Sequence, residues 1–226
     1  MPLQRRTGRR PAEPGCPPEG LQPTSDRLES FSDSVFAFAM TLLVLNLTVP
    51  SIVVGAGNGG LLAALLKQWP GYLAYLISFV TILIMWVNHY TMFAVIDRID
   101  FPILLFNGLL LLGVTIIPFS TALLDRYLGH PGQDLATAVY CGAYFLVSLG
   151  YNLAWYHAAR GHRMIAPDLD PDLVRWTTEE TALGLLLYAI ALPLAFLSVA
   201  ASLTICVVLD VFWALPRCIR SSVWPF

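Results

Sequence analysis

The sequence predicts an all-α integral membrane protein with six transmembrane helices. Three observations carry that prediction: the composition, the spacing of the charge-free runs and the one-sided placement of the arginines. Of the 226 residues, 57% are hydrophobic and 12% are charged, about half the charge of an ordinary soluble domain. Mean hydropathy is +0.66. High hydrophobicity with little charge excludes a disordered chain. A formal net charge of −2, with the basic residues not gathered on one helical face, excludes a nucleic-acid binder. The four cysteines, Cys16, Cys141, Cys206 and Cys218, lack CxxC or metal-type spacing and read as small apolar fillers or inert thiols.

A transmembrane helix takes about 20 mostly apolar residues. Runs free of Asp, Glu, Lys and Arg cover 34–66, 68–96, 101–124, 135–159 and 181–209. The first holds one helix, ending near Pro50, and then the glycine-rich segment Gly55-Ala56-Gly57-Asn58-Gly59-Gly60. Between two spans that segment reads as a flexible external linker, since a nucleotide-binding loop needs a strand before it and a helix after it. The last run, extended to Leu215, is too long for one span and suits a tight hairpin turning at Ala200, Ala201 and Ser202. Helices are therefore expected at 30–50, 70–93, 102–124, 135–157, 180–199 and 202–217, with Pro118 and Pro193 kinking theirs. Residues 25–217 then form a six-helix transmembrane channel-sized domain. Residues 1–24, with six prolines, four arginines and no apolar run, read as a disordered cytoplasmic tail, and 218–226 as a C-terminal cytoplasmic tail.

The basic residues orient the bundle. With six spans both termini share a side, and on it fall Arg5, Arg6, Arg9, Arg10, Arg27, Arg98, Arg160, Arg163, Arg175, Arg217 and Arg220. Only Lys67 and Arg126, of 13 basic residues, fall on the other. The positive-inside rule places both termini in the cytoplasm.

Ionisable residues in a span cost about 2.5–3.5 kcal/mol at its centre on insertion scales, so each needs a reason. Helix one opens with Ser25-Asp26-Arg27-Leu28-Glu29-Ser30-Phe31-Ser32-Asp33. Ser25 or Asp26 suits an N-cap, with Glu29 in capping-box position. Asp33 sits two turns further in, beyond the reach of the helix dipole, and needs a partner. Trp86 and His89, three residues apart at the end of helix two, lie at the same depth and offer N–H donors. Trp86 and Tyr90 are also ordinary belt residues at a membrane interface; the network around Asp33 is the favoured reading, with a structural or a pH-sensing role both open.

Further along helix one, Phe38, Thr41 or Leu42, and Leu45 form one stripe, which taken alone is more often helix packing than a pore. Asn107 reads as interhelical glue. Asp210, near the inner end of helix six, is expected to pair with a cytoplasmic arginine. The acidic residues Asp168, Asp170, Asp172, Glu179 and Glu180 are assigned to the loop before helix five, for solvation and capping. No HExxH or GxSxG occurs, the four histidines are scattered, and no TVGYG-like filter is present. Neither an enzyme nor a cofactor is expected, and residues alone reach a small, oligomeric six-helix membrane protein.

The string Arg27-x-x-x-Phe31-Ser32-Asp33, followed by Thr41-Leu42-Leu43-Val44-Leu45, resembles the signature of the transmembrane protein 175 family. These are the endolysosomal potassium channels and their prokaryotic homologues. Trp86-x-x-His89 is similar to the end of that family's second helix. Asn107-Gly-Leu-Leu-Leu-Leu with Ile117-Pro118-Phe119-Ser120-Thr121 resembles its third. The resemblance covers about 30–217. It implies a prokaryotic homotetramer of six-helix subunits in the lipid bilayer of the plasma membrane, with four copies of helix one lining a central pore for K+. It also implies a constriction at Phe38 and pore-facing layers at Thr41, Leu42 and Leu45. Arg27, Phe31, Ser32, Asp33, Trp86 and His89 are then a cytoplasmic-side network holding helix one. The family's constriction is usually Ile or Leu, and Phe38 departs from it. Modest K+ over Na+ selectivity is expected, with protons as a further permeant. Two other readings compete: a proton-coupled secondary transporter using Asp33 and His89 as relay, and a non-conducting membrane scaffold.

Overall fold

The computed structural model describes residues 25–50, 57–162, 164–166 and 169–215. Both expected tails, and with them Cys16, Cys218, Arg217 and Arg220, lie outside the described residues, as do Arg163 and Asp168. The described residues form α1 (Ser25–Leu42), continued by a 3-10 turn Leu43–Asn46, then α2 (Gly57–Lys67), α3 (Trp69–Phe93) and α4 (Phe101–Tyr127). These are followed by α5 (Gln133–Ala159), a short 3-10 turn Arg160–His162, α6 (Pro171–Leu194) and α7 (Val199–Ala214). Three helical segments are long and apolar enough to cross a membrane: Asp26–Asn46, Gly71–Phe93 and Phe101–Tyr127. Val199–Ala214 is apolar but shorter.

Three expectations are corrected. Gly57, Gly59 and Gly60 are not linker but the first turn of α2, because Leu61-Leu62-Ala63-Ala64-Leu65-Leu66 is a run of strong helix formers that carries the helix back through them. Helix five begins at Pro171 rather than at residue 180. Asp170 caps it by accepting from the Asp172 N–H at 3.0 Å, and Pro171 suits the first turn. Asp172, Arg175 and Glu179 lie on an exposed face of this helix, and Glu180 is buried. The hairpin turn falls at 195–198, before the expected Ala200-Ala201-Ser202; there Ser198 caps α7, accepting from Ala201 N–H at 3.3 Å.

The centre of the fold is the α4–α5 pair. Gly150 faces Leu110 so closely that a Cβ there would stand 2.5 Å from the Leu110 nitrogen, and one on Gly113 would stand 2.8 Å from the Val147 nitrogen. Two glycine notches thus let the backbones touch, the small-residue device of membrane helix pairs. Around this seam α1 packs through Phe36, Ala39 and Leu43 against Leu110, Leu111, Val114 and Ile117. On the far side Tyr140, Cys141 and Tyr144 of α5 meet Tyr188, Cys206 and Leu209 of α6 and α7. Cys141 and Cys206 are free and buried, with sulfurs 3.6 Å apart. At the third end, the 94–100 bend is tied to 164–166 by an isolated bridge between Ile96 and Ile165.

Candidate functional site

α1 carries two stripes on opposite faces. Ser32, Phe36, Ala39 and Leu43 recur at helical spacing and are buried against the chain's own helices. Phe31, Ser34, Phe38, Thr41 and Leu45 recur at the same spacing on the other face and stand exposed, Phe38 at 64% and Leu45 at 73%. Leu42 lies between the two, partly buried. Phe38, Thr41 and Leu45 therefore share one face that the chain leaves uncovered, and Leu42 flanks it. The Thr41 hydroxyl donates to the Phe38 carbonyl at 2.8 Å. Its hydrogen is spent on the backbone, and its oxygen accepts from no donor among the described residues.

The buried stripe is anchored by hydrogen bonds. Trp86 Nε1–H donates to Asp33 Oδ1 at 2.8 Å, so Asp33 has its partner on α3. His89 does not turn to Asp33. Its Nε2 meets Asn107 Oδ1 at 2.9 Å, and Asn107 Nδ2 donates to Ser32 Oγ at 2.9 Å. Ser32 Oγ donates in turn to the Leu28 carbonyl at 2.8 Å. The directions agree only if the imidazole carries its hydrogen on Nε2. Phe36 and Phe93 flank the His89 ring at 5.3 and 4.5 Å between centroids. α1, α3 and α4 are thus joined at one level by buried polar groups that satisfy one another. Asn107, expected from the sequence as interhelical glue and grouped with the signature network, is the link between His89 and Ser32. Its position seven residues into α4 gives its depth but not the direction in which it points. Arg27 and Phe31 are exposed, and the structure does not bring them into the hydrogen-bonded set.

Two further anchors complete the site. At the far end of α1, Asn46 Nδ2 donates to the Pro118 carbonyl at 2.9 Å. At the near end of α4, Asp100 caps the helix by accepting from Ile103 N–H at 3.1 Å and meets His157 Nε2 at 2.8 Å. Burial by itself lifts the Asp100 carboxyl; the hydrogen bonds from His157 and Ile103, with the His157 charge, outweigh it and hold the group below the ordinary carboxylate range. Asp210 pairs with no described arginine: its Oδ2 accepts from Thr81 Oγ1 at 3.0 Å, because it points between helices. Among the described residues no group of three His, Cys, Asp or Glu side chains is placed to hold a metal.

The chain is similar to several known ion channels. The family model described as endosomal/lysosomal potassium channel TMEM175 matches residues 27–118, from α1 into α4. A potassium channel of Chamaesiphon minutus is 43% identical over 194 residues, covering 86% of this chain and 95% of that protein. The crystal structure of a lysosomal potassium-selective channel TMEM175 homolog from Chamaesiphon minutus superposes with a TM-score of 0.72 at 42% identity, covering 84% of this chain and 96% of the other. The human endosomal/lysosomal proton channel TMEM175 is 32% identical over 183 residues, which are 77% of this chain but 36% of the human protein.

Proposed function

The chain belongs to the TMEM175 family, and on that footing we propose that it is a potassium-permeable cation channel, not an enzyme. Four copies assemble around α1, and each subunit crosses the plasma membrane six times with both termini in the cytoplasm. The observation that carries this reading is the uncovered stripe Phe31–Ser34–Phe38–Thr41–Leu45. A helix with one face left uncovered in its own subunit, carrying Phe31, Phe38 and Leu45 with the hydroxyls of Ser34 and Thr41, while Ser32 and Asp33 pin it to its neighbours, suits a wall shared by several copies.

In this reading Phe38 is the constriction. A ring of four phenyl groups excludes water and closes the pore by dewetting. When it opens, the ring faces attract a passing cation. Thr41 supplies the next layer, with hydroxyl oxygens turned to the permeant ion, and Leu42 and Leu45 form the layers beyond. Without a carbonyl cage, discrimination rests on partial dehydration, which costs less for K+ than for Na+, so selectivity is modest. Ser32, Asp33, Trp86, His89 and Asn107 hold the wall at the cytoplasmic end. Protons are the second permeant to examine, because the human relative is named a proton channel.

The test is flux from liposomes under K+ and Na+ gradients, together with the mass of the purified assembly. A K+-favouring flux from a tetramer supports the proposal. A verified tetramer that passes neither ion leaves the scaffold reading, and flux that saturates and follows a second ion gradient leaves the transporter.

A further inference from the structure

Away from the exposed stripe of α1, the subunit has a half-open cavity among α1, α3, α4, α5, α6 and α7. Asp210 stands in its wall together with Tyr144, Tyr188 and Trp213, and Ile84, Leu110 and Val147 add apolar surface. It offers about 70 Å³ to the centres of water molecules, where a single water needs about 10–15 Å³ on that scale. The space is therefore larger than one water site.

The carboxylate is half-used. Its Oδ2 accepts from Thr81 at 3.0 Å. Among the described residues Oδ1 has no hydrogen bond and Asp210 forms no ion pair. The Tyr188 hydroxyl, on the same wall, is likewise without a hydrogen bond among the described residues. The Tyr144 hydroxyl is already committed to Tyr140 at 2.6 Å. A carboxylate between membrane helices either takes up a proton or needs a compensating positive group. No described side chain supplies one, and the room beside Oδ1 takes a ligand.

The geometry points to this cavity as a binding site for a small protonated organic amine, with Asp210 as counter-ion and the Tyr144, Tyr188 and Trp213 rings around its apolar body. Three features choose that class. One carboxylate matches one positive charge. The absence, among the described residues, of a third metal-type ligand disfavours a divalent ion. Aromatic and aliphatic walls suit an organic cation better than a hydrated alkali ion, and aromatic faces attract ammonium groups. The site lies within one subunit and does not depend on conduction.

The test measures thermal unfolding of the full chain in nanodiscs with benzylamine as probe and benzyl alcohol as its uncharged counterpart. A saturable rise in Tm with benzylamine is expected, with little or none for benzyl alcohol. Asp210→Asn is expected to weaken the benzylamine response at least tenfold in midpoint concentration. Ser148→Leu, which fills the cavity but keeps the carboxylate, is expected to do the same and serves if Asp210→Asn does not fold. Equal responses to the two probes, or a benzylamine response unchanged in either variant, would overturn the site. So would a pH-dependent Tm that Asp210→Asn removes with no response to benzylamine, which would make the proton the only occupant.

Discussion

The imidazole of His89 and the amide of Asn107 meet at 2.9 Å between α3 and α4, and both are buried. Through Asn107 the contact reaches Ser32 on α1, so the helix proposed to line the pore is registered against two others by one chain of donors. The exposed stripe of α1 depends on that registration, since a helix free to rotate presents no fixed stripe.

Asn107→Leu removes both links at once: it strands His89 Nε2 and takes the donor from Ser32 Oγ, which keeps only its bond to the Leu28 carbonyl. An unsatisfied buried polar group costs about 1–3 kcal/mol, so a loss of about 2–4 kcal/mol is expected. Ser32→Ala removes one acceptor and is expected to cost about 1 kcal/mol. Chemical denaturation of the purified protein in detergent ranks the two, and equal losses would show that Asn107 does not bridge.

Gly150→Ala places a Cβ 2.5 Å from the Leu110 nitrogen. Backbone atoms have no rotamer to escape into, so the α4–α5 seam must open. Overpacking costs about 1–3 kcal/mol and occasionally more, and the upper end is expected here. Gly108→Ala, with nothing within 4 Å of its new methyl, is expected to leave Tm unchanged or raised. Thermal unfolding of the pair side by side decides it.

Asp100 contributes stability with a defined pH sign. Its folded-state pKa is depressed, so the contribution is fully present above the unfolded value, about 3.9, and is lost as pH falls through the lower folded value. The stability difference between wild type and Asp100→Asn should therefore shrink only below about pH 4. A difference that grows on acidification would reverse the sign and exclude the His157–Asp100 hydrogen bond as its source.

The helices were legible because charge-free runs of membrane length leave few alternatives. Their ends were not. α6 starts within a charged stretch because Asp172, Arg175 and Glu179 face outward, and a helix needs only one apolar face. Depth alone, which follows from counting turns, offers both Trp86 and His89 to Asp33, and only Trp86 bonds to it. The path from His89 to Ser32 through Asn107 depends on the rotation of α3 and α4 about their axes, and in a helix apolar on nearly every side no periodicity reports that rotation. Phe38 and Phe36 show the same limit: two residues apart on one helix, they are 64% and 0% exposed.

Thr41→Val keeps the shape of the second layer and removes its oxygen. In the proposed pore it is expected to lower the K+ to Na+ permeability ratio with little change in assembly. A ratio that stays fixed, measured as bi-ionic reversal potential in planar bilayers, would take the hydroxyl layer out of the selectivity argument.

That the exposed stripe of α1 is the wall of a cation pore closed at Phe38 is the core of the proposed function. It is tested most directly by K+ flux from liposomes loaded with wild type or Phe38→Ala at matched protein content. A K+-favouring flux is expected in the wild type, and Phe38→Ala is expected to enlarge it about tenfold or more, the change that lowering a barrier by about 1.4 kcal/mol produces. Equal flux from the two proteins, with the tetramer verified in each, would contradict it and remove Phe38 from the gate.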